Sequence, residues 1–165
     1  AAVEMVDLMQ LFAGPFQDVT GFADLQRTAE PGTETNIMAG LRTFSGVLAN
    51  LHASTTQWRP TFRLELGFER GYLWLEGLNC EAYGFGPEAL VHARSDGPEP
   101  SHETVDQFRH SNGVKAALDL FLARIAQPKQ GPVSTSQDAF DALNTVHRIL
   151  AADPIYAPIQ ERQVS

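Results

Sequence analysis

The hydrophobic period of this chain changes twice, and no other feature constrains its fold as strongly. Near the start Val3, Val6, Leu8, Met9, Leu11 and Phe12 recur at helical spacing, and Gly14 followed by Pro15 supplies a left-handed cap and a hard stop. A helix that begins within a few residues of Ala1 reads as the continuation of a longer protein, so the lack of a signal peptide says little about where the parent resides. From Phe16 to about Arg94 the period drops to 2, with turn residues between short β-rich runs. The expected strands are Phe16 to Gln26, Thr35 to Thr43, Val47 to Thr55, Thr61 to Phe68, Tyr72 to Glu76, Asn79 to Tyr83 and Ala89 to Ala93. Their connections suit antiparallel hairpins, with tight turns at Ser45-Gly46 and Arg70-Gly71, because a parallel crossover needs about a dozen residues or more.

Helical spacing returns after Ser101. Leu118, Phe121, Leu122 and Ile125 make an apolar stripe on a helix from Val114 to Ala126, which Pro128 to Pro132 ends. Ser134 with Gln137 predicts a reciprocal capping box for the last helix, and Asp138 suits the positive first turn. Phe140, Leu143, Val146, His147, Ile149 and Leu150 form its expected core stripe, with His147 a packed core histidine. The order of elements implies an α+β fold, an open and mainly antiparallel sheet of about six strands with helices packed on one face. A length of 165 residues fits a single domain over residues 1–165, at about 100 to 200 residues per domain.

Composition removes several functions. A net charge of −8 opposes binding to nucleic acid or to an anionic membrane, and there is no apolar run near the ~20 residues a bilayer span needs. The lone cysteine, Cys80, excludes an internal disulfide and a cysteine-cluster zinc site; it reads as a small buried hydrophobe in a cytoplasmic protein. Alternation puts Val47, Ala49, Leu51 and Ala53 on one side of their strand and Leu48, Asn50, His52 and Ser54 on the other. It likewise sets Tyr72 and Trp74 opposite Leu73 and Leu75. Helices on one side leave a second face carrying aromatics, so Tyr72 and Trp74 are expected at the interface of a homodimer or tetramer built sheet against sheet.

Four stretches together resemble the C-terminal domain of the glucose-fructose oxidoreductase, inositol dehydrogenase and rhizopine-catabolism (Gfo/Idh/MocA) family of NAD(P)-dependent oxidoreductases. They are Glu4 to Pro15 followed by Asp18-Val19, Ala39 to Ser54 around Phe44-Ser45-Gly46, Leu64 to Gly77 around Gly67 and Arg70-Gly71, and Ala117 to Ile159 with Pro132, Ser134 and Asp138-Ala139. The likeness implies an open sheet that associates through its exposed face, a sugar, polyol or related hydroxy compound as substrate, and NAD or NADP in the parent enzyme. No Gly-x-Gly-x-x-Gly turn occurs, and the family's catalytic Lys belongs to the nucleotide domain, so this chain alone is expected to bind no dinucleotide and to be inactive.

Aligned on Asp7, Glu4 takes the place of the family's His, which makes it the one candidate for direct action at the reacting hydroxyl. A carboxylate can accept that proton as hydride leaves, if burial raises its pKa. The plainer reading is a solvated acid in a helix's first turn, with Asp7 orienting structure or substrate. Asn50 and His52 are candidate sugar-hydroxyl contacts or interface residues. His102, Asp106 and His110 recur every four residues and would share a helix side, where imidazole and carboxylate suit zinc. Residues 101–112 are polar and weakly helical, so His102 and His110 read as solvated or substrate-loop residues and no metal is expected. Trp58, Arg59 and Arg63 read as rim residues. The rival to the oxidoreductase domain is a non-enzymatic dimerisation or ligand-binding module of the same shape, and a metal enzyme built on the His102 to His110 segment is a third.

Overall fold

A computed structural model of the chain describes residues 2–24, 34–77, 88–95, 97, 102–108, 113–127, 130–131 and 134–155. They fall into two units, residues 1–57 with 132–165, and residues 58–131.

In the first unit the opening spacing becomes helix α1 (Ala2–Ala13), with Val6 and Met9 buried. Gly14 closes it at φ 85°, its N–H bonding the Gln10 carbonyl at 2.9 Å. Strands β1 (Phe16–Asp24), β2 (Asn36–Thr43) and β3 (Leu48–Ser54) follow as an antiparallel sheet in the order β1-β2-β3. Gly46, at φ 90°, turns β2 into β3, and its N–H reaches the Thr43 carbonyl at 3.0 Å. Alternation holds along this sheet: Ile37, Ala39, Leu41 and Leu51 are buried, whereas Met38, Leu48, Asn50 and His52 are exposed. Helix α3 (Ser136–Ala152) packs on β1 and against α1.

Two expectations for α3 change. The cap is Thr135, one residue later than expected, and Asp138 closes the box in place of Gln137. The buried stripe is Ala142, Thr145, Ile149 and Leu150, while Phe140, Leu143 and His147 are exposed. Close approach decides this. Small residues on α3 admit α1, with Gln10 Nε2 donating to Thr145 Oγ1 at 3.2 Å, and Ile149 seats over Gly21, where no side chain intervenes. His147 is therefore a surface residue rather than a core histidine.

The second unit holds β4 (Arg63–Phe68), β5 (Gly71–Glu76), β6 (Glu88–Arg94) and β7 (Thr104–Phe108), an antiparallel sheet in chain order, and α2 (Gly113–Ala126). The hairpin between β4 and β5 turns at Glu69-Arg70, and Gly71 opens β5 because a Cβ there would run into the Ala93 carbonyl of β6. Val91 and Ala93 are buried. The expected stripe of α2 is formed, yet Leu118, Phe121, Leu122 and Ile125 are all exposed. The fold is α+β with antiparallel ladders, as expected, and its strands divide into sheets of three and four. The expected strand Asn79 to Tyr83 and Cys80 lie outside the described residues. Strand β7 replaces the weakly helical reading over residues 104–108; residues 101 and 109–112 lie outside the described residues. All five of its residues are exposed and backbone pairing to β6 holds it, so its side chains carry no period to read.

Candidate functional site

Helix α1 buries Val6 and Met9 on one side, so Glu4 and Asp7, one turn apart, stand exposed on another. Glu4 thus lacks the burial within this chain that a general base needs, and any such burial must come from substrate or from another part of the parent. Asn50 and His52 stand two residues apart on β3, on the face that α3 leaves uncovered. Register places His52 beside Met38 and Phe22 in one row across the sheet, and Asn50 beside Gly40 and Thr20 in the next. Asp18 and Arg42 pair at 3.6 Å on the same face, both more than half exposed. The unit therefore joins Asn50 to His52, but sets them across the sheet from the helical layer that carries Glu4 and Asp7.

In the second unit Tyr72 and Trp74 share one face of β5, their ring centroids 5.7 Å apart. The Arg63 guanidinium lies 4.2 Å from the centre of the Trp74 ring, and its Nε donates to Glu65 Oε1 at 2.7 Å. Tyr72 Oη donates to Glu103 Oε2 at 2.5 Å. That bond, which the phenol makes only while protonated, raises the Tyr72 pKa above its ordinary value, with desolvation and the Glu103 charge adding to it. Arg63 is thus paired, and Trp58 is fully exposed. Sequence reasoning missed Glu103, because a contact spanning 31 residues leaves no local signal.

The His102, Asp106, His110 constellation loses its helix. Asp106 lies in strand β7, and in extended chain residues four apart, as His102 and Asp106 are, stand roughly 13 Å from one another, too far to share one ion. His102 is exposed and His110 lies outside the described residues. Asp106 instead meets His92 of β6, with Nε2 and Oδ2 3.4 Å apart and both side chains well exposed. Among the described residues no group of three His, Cys, Asp or Glu side chains is placed to hold a metal ion. Nor is any described helix long and apolar enough to cross a membrane.

Neither a family model nor a curated protein matches the sequence. Solved structures do match in shape. UDP-N-acetylglucosamine 3-dehydrogenase GnnA from Acidithiobacillus ferrooxidans superposes with a TM-score of 0.73 at 18% identity, over 94% of this chain and 46% of that one. The WlbA dehydrogenase from Bordetella pertussis, solved with NADH and UDP-GlcNAcA, gives a TM-score of 0.60 at 13% identity over 89% of this chain and 40% of its own. The WlbA dehydrogenase from Chromobacterium violaceum, with the same two ligands, gives 0.59 at 14% identity, over 92% and 41%. The fold is shared with these dehydrogenases. This chain spans less than half the length of each. At such identities the likeness establishes the fold alone.

Proposed function

We propose that this chain is the substrate-side and subunit-contact part of an NAD(P)-dependent oxidoreductase acting on a sugar, polyol or related hydroxy compound, with UDP-sugars the first class to test. The observation that carries the reading is the fold shared over 94% of the chain with a UDP-sugar dehydrogenase. Two further matches were solved with NADH and a UDP-sugar acid.

The residues present do not fit a dinucleotide. Every ladder among the described residues is antiparallel, and the sequence has no Gly-x-Gly-x-x-Gly turn, so the described residues offer a pyrophosphate no helix N-terminus following a parallel strand. In this proposal NAD or NADP sits on another part of the parent. Glu4 accepts the hydroxyl proton and Asp7, one turn along α1, contacts substrate, whereas Asn50 and His52, on the opposite side of the first unit's sheet, fall to subunit contacts. Tyr72 and Trp74, with the uncovered face of the first unit, carry contacts to a second copy in a homodimer or tetramer.

The test is turnover by the parent protein with NAD or NADP and a panel of UDP-sugars, free sugars and polyols, followed by the absorbance of the reduced nicotinamide. Turnover is expected, and Glu4→Gln should lower kcat by ~10²–10⁴-fold. A parent inactive on the whole panel sinks the reading. It would favour the non-enzymatic module, to which the exposure of Glu4, where the family carries His, already points.

A further inference from the structure

Strand β1 ends its sheet among the described residues, so one side of its backbone has no neighbouring strand among them. The Asp24 carbonyl faces β2, accepting from Thr35 N–H at 2.9 Å, and alternation therefore turns the amides and carbonyls of Ala23, Gly21 and Val19 outward. Helix α3 grips this outer edge at both ends. Ala23 N–H donates to Asp153 Oδ2 at 2.7 Å, and Asp153, only 3% exposed, is itself fixed by Ile155 N–H on Oδ1 at 2.7 Å. At the other end Arg148 Nη1 donates to the Phe16 carbonyl at 2.8 Å and Nη2 to the Gln17 carbonyl at 2.5 Å. These carbonyls flank the irregularity in the β1–β2 register between Phe16 and Asp18. A cation thus meets carbonyls and a carboxylate meets an amide, the pairings that charge strengthens. Between the two grips the outward groups of Val19 and Gly21 meet no hydrogen-bond partner among the described residues.

We propose that Arg148 and Asp153 form a latch that closes the edge of β1 to strand addition, and that the strand it excludes is β1 of a second copy. Two β1 edges brought together antiparallel about a two-fold axis would exchange identical N–H and C=O groups, so the edge is complementary to itself and every copy carries one. Continuous pairing needs the groups at 16, 17 and 23, which are the ones α3 occupies. The latch restricts self-association to surfaces other than this edge, and it stands or falls independently of the dehydrogenase reading.

Amide hydrogen exchange on the unmodified chain gives the first test. Corrected for intrinsic rates, the Ala23 amide should exchange at least about tenfold more slowly than those of Val19 and Gly21; equal rates overturn the latch. Light scattering gives the second. Arg148→Ala with Asp153→Ala should add a concentration-dependent species absent from the unmodified chain. Adding Val19→Pro, which removes an outward N–H without touching the β1–β2 ladder, should abolish that species. An unchanged association state in the folded double variant, or a new species that survives Val19→Pro, refutes the proposal. If the double variant fails to fold, the exchange rates alone decide it.

Discussion

Gly21 lies on the buried side of β1 with no room for a side chain. A Cβ there would stand 2.7 Å from Ile149 Cγ2 and 2.9 Å from the Met38 carbonyl oxygen, one of them backbone that cannot yield. Gly21→Ala should cost about 1–3 kcal/mol in urea unfolding, the usual toll of overpacking; a neutral substitution would show that α3 does not seat there. At the start of α3, Asp138 accepts from Thr135 N–H at 2.7 Å and from Thr135 Oγ1 at 2.8 Å. The backbone bond first, and the hydroxyl second, hold its carboxyl below the ordinary aspartate range. The folded pKa lies below the unfolded one, so this contribution is complete above the unfolded value and disappears as pH falls through the folded value. Thermal unfolding across acidic pH should show that loss, and Asp138→Asn should flatten the slope. A helix start between residues 134 and 138 was legible in the sequence. Which of Ser134 and Thr135 caps it was not, because both hydroxyls are chemically fit and only the chain's entry into α3 selects one.

Among the elements, α3 separates pattern from packing. Its six apolar-stripe residues include Phe140 and Leu143, each about 60% exposed, whereas Ile149 is fully buried. Ile149→Ala should therefore cost about 2–5 kcal/mol, and Phe140→Ala less than about 0.5 kcal/mol. Equal losses in denaturant titrations would restore the stripe expected from sequence. Helical period predicts that a face is apolar; it does not say which edge of a broad stripe turns inward. Here the small residues Ala142 and Thr145 fix the rotation, because they let two helices come close. The hairpin of β2 and β3 was fully legible, since period 2, a Gly turn and one buried face all agree there. Strand β7 was not, having no buried face at all.

For the molecule as a whole, the proposed association through uncovered sheet surface is the reading most open to measurement. Phe22, Met38 and Leu48 are exposed on the first unit's open face, at 68%, 58% and 71%. On the second sheet Trp74 lies beside Tyr72, their ring planes tilted by 44°. Light scattering at micromolar concentration should give a dimer or larger, and Trp74→Glu or Phe22→Asp should raise its dissociation constant at least about tenfold, as loss of an aromatic anchor does. A chain that stays monomeric removes the subunit-contact role. Glu4, Asp7, Asn50 and His52 were all readable as candidates from residue type and position, but the sequence offered no means of knowing that the sheet of the first unit parts the two acids from Asn50 and His52.

The sequence by itself determined the opening and closing helices and the order of strands β1 to β6 between them, the stop at Gly14-Pro15, the α+β class and the two sides of β3. Each of these follows from backbone period, cap or turn, and such signals act over a few residues. Tertiary structure alone decided the division into two sheets, the strand at Thr104–Phe108, the rotation of α3 and the grip of Arg148 and Asp153 on β1. Those contacts join residues about 130 positions apart, such as Ala23 to Asp153 and Phe16 to Arg148, and no local pattern records which distant backbone groups a folded chain brings within hydrogen-bond reach.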